Sequence, residues 1–597
     1  MNNLKMKYDD KKFYEEVKKY TDILKDKVKD KIVFVLMELD NEKAFFSIAP
    51  LSRAIHNIGG DLHVLINGNN NFEILKDVWY VYEEYKKGLD TDKVNALKGF
   101  IQAVNKRTKK ETFENIFKKP EFILKAEEKG FSGTLELDYY DEWHKKYRFN
   151  ELVESANQIW GQGYALKKGE KVGVSFVLVP DKENTELPLE DYLDSYFIAL
   201  AMAESAIKKG AHVSLSAFSD RFSMLAKSVR SVDLATTLKG CELDKDIDED
   251  VFKKYNIFSK EVIRDRMKYI KAGFSIHGKG YYGKHFFGEE IGYPTSNKKS
   301  RWTSPGQMML KDRYSPQSLE ESRDPVMRYA LTETLPIDIF IETCNLDYTI
   351  LKKRSDKIRD IFNKCSYIRV VGEPVDGHKT DFKVELIRKD GFRRAFTSSD
   401  CDVTNIIDQE NLKKTGARTG SYANFPSGET FTTPEKVTGV MVGDVVINID
   451  RSYVIPPNNP IVVSFDDNGD YKIVKAPADI KKAMDRELKE CREKIKIYEK
   501  NGSLPKEITD MYTRNFNSVG EFAVNTNPKA KLCDYLIVNE KIAKMIHVAL
   551  GLGFDPDKKT VYHWDIVVNS PRQKLDIYGV DADGKTQWVI KKGEFVV

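Results

Sequence analysis

The chain has 597 residues, of which 41% are hydrophobic, 31% charged and 11% aromatic. That excludes a disordered polypeptide and leaves room for about three to four folding units at roughly 150 residues each. Lys and Arg number 96 against 92 Asp and Glu, a net charge of +4, too small to advertise nucleic acid or an anionic membrane as a partner. No run approaches the ~18 apolar residues of a membrane helix, and the N-terminus MNNLKMKYDDKKFYEEVKKY is charged throughout where a signal peptide is apolar, so a cytoplasmic chain is expected.

Taken from the N-terminus, Lys31–Leu39 (KIVFVLMEL) is an apolar run. A helix-like segment follows from about residue 44 to 58, then the stop Gly59-Gly60 and a second apolar run, LHVLIN. The pattern recurs with KVGVSFVLV from Lys171, a helix over about 192–209, Gly210, and HVSLSAF. Apolar run, amphipathic helix, glycine, apolar run predicts a parallel strand–helix–strand unit in each case. Residues His277 to Ser322 are rich in Gly, Pro, Ser and aromatics without helical or strand period, as in a lid, an interface arm or an insertion. Gly278, Gly280 and Gly283 match a dinucleotide fingerprint in form only, because KHFFGEEIGYP does not continue as a helix.

Beyond about residue 366 short β-rich runs broken by turns take over, such as FKVELIRKDGFRRAF and VTGVMVGDVVINIDRSYVI. One helix interrupts them over about 479–500, with Met484, Leu488, Cys491, Ile495 and Tyr498 on one face. Turns at Asp583-Gly584 and Lys592-Gly593 predict closing hairpins. The expected fold class is therefore α/β: parallel-sheet α/β units first, then a β-rich, mixed α+β part. Three domains are expected. Residues 1–149 form a first α/β unit, 150–365 an α/β domain with the 277–322 insertion, and 366–597 a β-rich domain, in which the candidates for chemistry described next are sought.

The six cysteines are scattered with no Cys-x-x-Cys pair, which predicts reduced thiols and argues against a cysteine zinc site. Chemistry is better sought among histidines and acids. In YHWDIVV, His563 and Asp565 are two apart on a strand-like run, so their side chains share a face with Cα atoms about 7 Å apart, a bite for one cation. His547 opens HVALGLG, while Glu429 (NFPSGETFTTP) and Glu521 (SVGEFAVNTNP) each follow a glycine. Taken singly, each has an ordinary structural account: a hydrogen-bonded core histidine, a surface-loop carboxylate, a solvated strand face. Together, three carboxylates and two imidazoles suit Zn²⁺, Co²⁺ or Mn²⁺. A carboxylate can bridge two ions about 3.5–4 Å apart.

NFPSGETFTTP, GEFAVNTNP, HVALGLG and HWDIVV stand in an order and spacing that resembles the aminopeptidase T / aminopeptidase S family of metallopeptidases, and LDIYGVDADGKTQWVIKKGEFV is similar to that family's closing hairpins. The resemblance is densest over Asn424–Val597, looser back to about residue 150, and absent before it. It implies metal ligation by Glu429, Glu521, His547, His563 and Asp565, with two divalent ions, Zn²⁺ or Co²⁺ and with Mn²⁺ compatible. It further implies a homodimer that removes N-terminal residues from peptides bearing a free N-terminus. Glu521 is the candidate for a carboxylate that both ligates and handles protons, and Asn525 and Asn527 for orienting groups or simple turn formers before Pro528. The chain departs from the family at Phe554, where members carry a tyrosine seven residues after the first histidine. Loss of one oxyanion-facing donor can cost about 10²–10³ in turnover, and strand alternation turns Tyr562 away from His563 as a substitute. Two rivals follow: a non-catalytic relative that binds a peptide or partner, and another two-metal hydrolase acting on phosphate esters, which the lack of a glycine-rich phosphate cradle disfavours.

Overall fold

The computed structural model describes residues 10–25, 32–38, 61–67, 122–125, 148–179, 189–219, 272–277, 328–399, 422–501, 506–553, 555 and 557–597, with isolated positions at 29, 51, 54, 55, 57 and 58. The 277–322 segment beyond His277, and Phe554, lie outside them. The protein is a mixed α/β chain of two compact units whose described parts fall within residues 10–341 and 342–597.

In the first unit, β1 (Ile32–Glu38) runs parallel to both β2 (Asp61–Asn67) and β3 (Phe122–Lys125). A second parallel set comprises β4 (Lys171–Val179), β5 (His212–Ser219), β6 (Ala272–His277) and β7 (Arg328–Glu333), in the spatial order β7-β6-β4-β5. The helix Leu189–Lys208 makes the crossover from β4 to β5. It stops where Gly210 takes φ +81°, a conformation that glycine adopts without steric cost. Two buried polar tips tie this unit together: Trp160 Nε1 donates to the Met202 carbonyl at 2.8 Å, and the Tyr164 hydroxyl to the Gly273 carbonyl at 2.7 Å.

The second unit is built on antiparallel pairing. One sheet has eight strands in the order β17-β16-β13-β9-β8-β21-β22-β23. They are β8 (Cys365–Val371), β9 (Asp381–Glu385), β13 (Lys436–Gly443), β16 (Ile461–Phe465), β17 (Tyr471–Lys475), β21 (Asp576–Asp581), β22 (Thr586–Lys591) and β23 (Glu594–Phe595). The other has seven, in the order β10-β12-β18-β19-β20-β14-β15. They are β10 (Thr397–Ser399), β12 (Glu429–Thr432), β14 (Val446–Asn448), β15 (Ser452–Val454), β18 (Val519–Asn525), β19 (Ile546–Gly551) and β20 (His563–Val568). A further short strand, β11, spans Tyr422–Asn424.

The apolar faces of both sheets meet in one core. Ile368, Val370, Phe382 and Val384 come from the first sheet, and Phe522, Val524, Val548, Trp564 and Ile566 from the second. Phe382 and Phe522 pack edge to face at 6.2 Å between ring centres. The interrupting helix is found at Ala478–Asn501, with Met484, Cys491, Ile495 and Tyr498 in the same core. Among the described residues Cys344, Cys365, Cys491 and Cys533 are free thiols.

A candidate metal centre on one sheet face

Strand alternation and antiparallel register together assemble the candidate residues. On β18, Glu521, Ala523 and Asn525 point to one face, because alternate residues do. Ala523 lies opposite His547 on β19, and Asn525 lies opposite Glu429 on β12. Across the next pair, Ala549 faces Asp565 and Gly551 faces His563. Four neighbouring strands thus place Glu429, Glu521, His547, His563 and Asp565 on a single face whose reverse is the apolar core. Ala523 and Ala549 stand between these side chains on the same face, and their small methyl groups leave room above the sheet.

The five side chains form two donor sets, Glu429/Glu521/His547 and Glu521/His563/Asp565, each with its candidate ligand atoms within 4.8 Å of one another. Glu521 belongs to both. His547 Nε2 lies 3.3 Å from Glu521 Oε1 and 3.7 Å from Glu429 Oε2, while His563 Nε2 lies 3.5 Å from Glu521 Oε2 and 3.3 Å from Asp565 Oδ1. Both rings are held from behind. Nδ1 of His547 meets Asn525 Oδ1 at 2.8 Å, and Nδ1 of His563 donates to the Leu552 carbonyl at 2.7 Å. Holding the outer nitrogen fixes each imidazole with Nε2 turned inward, as metal-ligating histidines require.

Charge sets how these groups shift one another's protonation. Burial pushes the Glu521 carboxyl up, but the two facing imidazoles outweigh it and hold it down at about 2. Burial lowers His547, and Glu521 more than reverses this, raising the imidazole to about 9. His563 likewise rises well above its ordinary value, with Asp565 and Glu521 overcoming burial. Protons on two imidazoles therefore supply the positive charge that this cluster of buried acids demands. The donors fit divalent cations on the same grounds: imidazole and carboxylate ligands, inward Nε2 atoms, and a buried Asp565 Oδ1 whose described ion-pair partner is the His563 imidazole.

Asn525 and Asn527 part company. The first reaches His547, whereas Asn527 Nδ2 donates to the carbonyls of Thr343 (3.1 Å) and Ser427 (2.8 Å), and its Oδ1 accepts from the backbone of Lys529 and Ala530. Asn527 is thus a loop anchor. Tyr562 points into the core, its hydroxyl shared with Tyr471 and bonded to the Phe516 carbonyl. The glycine before Glu521 is required by a close approach of the backbone. A Cβ on Gly520 would stand 1.9 Å from the Leu552 carbonyl oxygen, so the residue serves the irregularity in the β18–β19 register. Gly428, before Glu429, has φ +129° and packs against Asn527, where a Cβ would lie 2.8 Å from the Asn527 nitrogen.

Two further charged residues stand beside the centre, Glu540 and Lys541, and neither belongs to any of the four motifs. The Lys541 ammonium lies 2.6 Å from Glu429 Oε2 and 2.7 Å from Glu540 Oε1, with its side chain only 1% exposed. Burial works against its charge, yet Glu429 and Glu540 raise its pKa above the ordinary value. Burial pushes Glu540 up to about 7, against the pull of Lys541. The available signal was a Glu-Lys dipeptide embedded in apolar sequence, since such charges are buried only when paired.

No protein-family model matches the chain, and no curated protein does. Among solved structures it is similar to 2,5-dihydroxypyridine dioxygenase from Pseudomonas putida KT2440, at 13% identity and TM-score 0.41, over 75% of this chain and 98% of that one. It is also similar to wild-type AmpT from Thermus thermophilus, at 15% identity and TM-score 0.40, over 75% of this chain and 99% of that one. At these values the likeness fixes neither family nor activity.

Among the described residues, no helix is long and apolar enough to cross a membrane.

Proposed function

We propose that the protein is a metal-dependent aminopeptidase, a homodimer that removes N-terminal residues from peptides at a binuclear centre of Glu429, Glu521, His547, His563 and Asp565. The observation that carries this reading is the sharing of Glu521 between two donor sets, the arrangement in which one carboxylate serves two cations. The order of the four motifs along the sequence supports the choice of peptides as substrate. Two bound Zn²⁺ or Co²⁺ ions would supply Lewis acidity toward a scissile carbonyl and a water ionisable near neutral pH.

The chain's own residues do the rest. Asn525 and the Leu552 carbonyl keep both Nε2 atoms inward. The sheet face excludes bulk water, since Glu429, Glu521, His547 and Asp565 are all buried, so charge at the site acts with little screening. Glu521, between the two imidazoles, is the proposed ligand that also accepts and returns a proton. The test is release of N-terminal residues from unblocked peptides by protein stripped of metal and then resupplied with Zn²⁺, Co²⁺ or Mn²⁺, with N-acetylated peptides and phosphate esters alongside. Metal-dependent cleavage of the unblocked peptides alone is expected. Equal cleavage of blocked peptides, or no cleavage with two cations held per chain, overturns the aminopeptidase.

A further inference from the structure

The two donor sets share Glu521 but differ in charge. Lys541 sits at hydrogen-bonding distance from Glu429 in one of them. In the other, the described ion-pair partners of Glu521 and Asp565 are histidines only, and these give up their protons when they ligate. The ammonium of Lys541 is not free to withdraw. Asn527 N donates to the Lys541 carbonyl and Ala543 N to the Asn527 carbonyl, both at 3.0 Å, so the backbone carrying Lys541 is bridged to the loop anchored by Asn527. Glu540 holds the ammonium from its other side.

We infer that Lys541 is a built-in competitor for the Glu429/Glu521/His547 cation position and makes the two positions of the proposed centre unequal. The inference rests on the binuclear reading and concerns its regulation: the Glu521/His563/Asp565 position fills first, and the other fills only against an ammonium bound to one of its own ligands. A buried charge at that range is poorly screened by salt or water, so the two affinities differ by about tenfold or more. A purely structural lysine, there to neutralise Glu429 and Glu540, predicts the opposite response to its removal, because losing it would disorder a ligand and weaken cation binding.

The experiment titrates the metal-free full-length protein with Co²⁺ against a chromophoric chelator and follows the cobalt absorption. The native chain should take up two equivalents in steps about tenfold or more apart. In Lys541→Met the weaker step should tighten about tenfold and approach the stronger one, while Lys541→Arg, which keeps the charge, should retain the separation. A weaker step that is unchanged or loosened in a folded Lys541→Met protein overturns the inference and leaves the two-cation centre standing, as do two equal steps in the native chain. Should the single variant not fold, Glu540→Gln combined with Lys541→Met removes the ion pair whole and is read the same way. One equivalent in the native chain but two in the variant upholds the inference and overturns the binuclear reading of the native protein. Fewer than two in both overturns both.

Discussion

Replacing Asn525 by Ala separates a positioning group from a merely structural one. Asn525 is fully buried, stands opposite Glu429 in the β12–β18 pair, and its Oδ1 lies 2.8 Å from His547 Nδ1. Removing it strips the acceptor from an imidazole that is itself 1% exposed, so no water readily takes its place. Such a buried, unsatisfied donor costs about 1–3 kcal/mol, which lowers the melting temperature by about 2–4 °C per kcal/mol in a unit of some 150–250 residues. The larger effect is on the other nitrogen. A ring no longer held at Nδ1 must be ordered at the expense of cation binding, and loss of such outer partners typically weakens metal affinity about 10–100-fold. Asn527→Ala is the matched control, since that side chain makes four backbone hydrogen bonds and touches no candidate ligand. It should lower the melting temperature at least as much and leave cation affinity within about threefold, well short of that loss. Asn525→Asp keeps the acceptor and should restore tight binding. Chelator competition read beside thermal melting of the three variants decides the matter. Native-like affinity in Asn525→Ala, or an equal loss in Asn527→Ala, refutes the positioning argument.

Four further outcomes are expected. Stripping bound metal should lower the melting temperature, and Zn²⁺ or Co²⁺ should restore it, because buried carboxylates that repel one another gain from a cation that binds only the folded state; an unchanged melt after verified removal contradicts the cluster. Glu429→Ala and His563→Ala should lose metal by elemental analysis, whereas His378→Ala, outside both donor sets, should retain it. The carboxyl of Asp555 is pushed up to about 6 by burial although Arg394 opposes this at 2.7 Å. A raised carboxyl contributes stability fully present below its ordinary value near 3.8 and lost as pH rises through 6. The melting difference between the native chain and Asp555→Asn should therefore fall steadily between those pH values, and a flat difference contradicts the assignment. Gly520→Ala drives a Cβ into the Leu552 carbonyl, a backbone clash that should cost about 1–3 kcal/mol and weaken cation binding by moving Glu521; a native melt and native affinity together argue against it.

How much of this was legible in the sequence follows from the range of each signal. His563 and Asp565 converge because a period of two belongs to the strand itself, and nothing distant is needed to turn them the same way. The same rule sends Tyr562 to the opposite face, where it meets Tyr471. Glu429 and Glu521 carry no such local signal. What unites them is antiparallel register across β12, β18 and β19, a property of pairing between segments far apart in the chain, so only the order of the motifs pointed to them. Alternation also misleads where a strand ends. Asn525 and Asn527 are two apart and read as equivalent, yet β18 closes at Asn525 and the chain then turns to pair with Lys541 and Ile542. That irregular bridge is what carries the Lys541 ammonium to Glu429, and no periodicity encodes it. A charged dipeptide that breaks an otherwise apolar run is therefore worth following to its partner, since burying it demands a counter-charge and the counter-charge here is a candidate ligand.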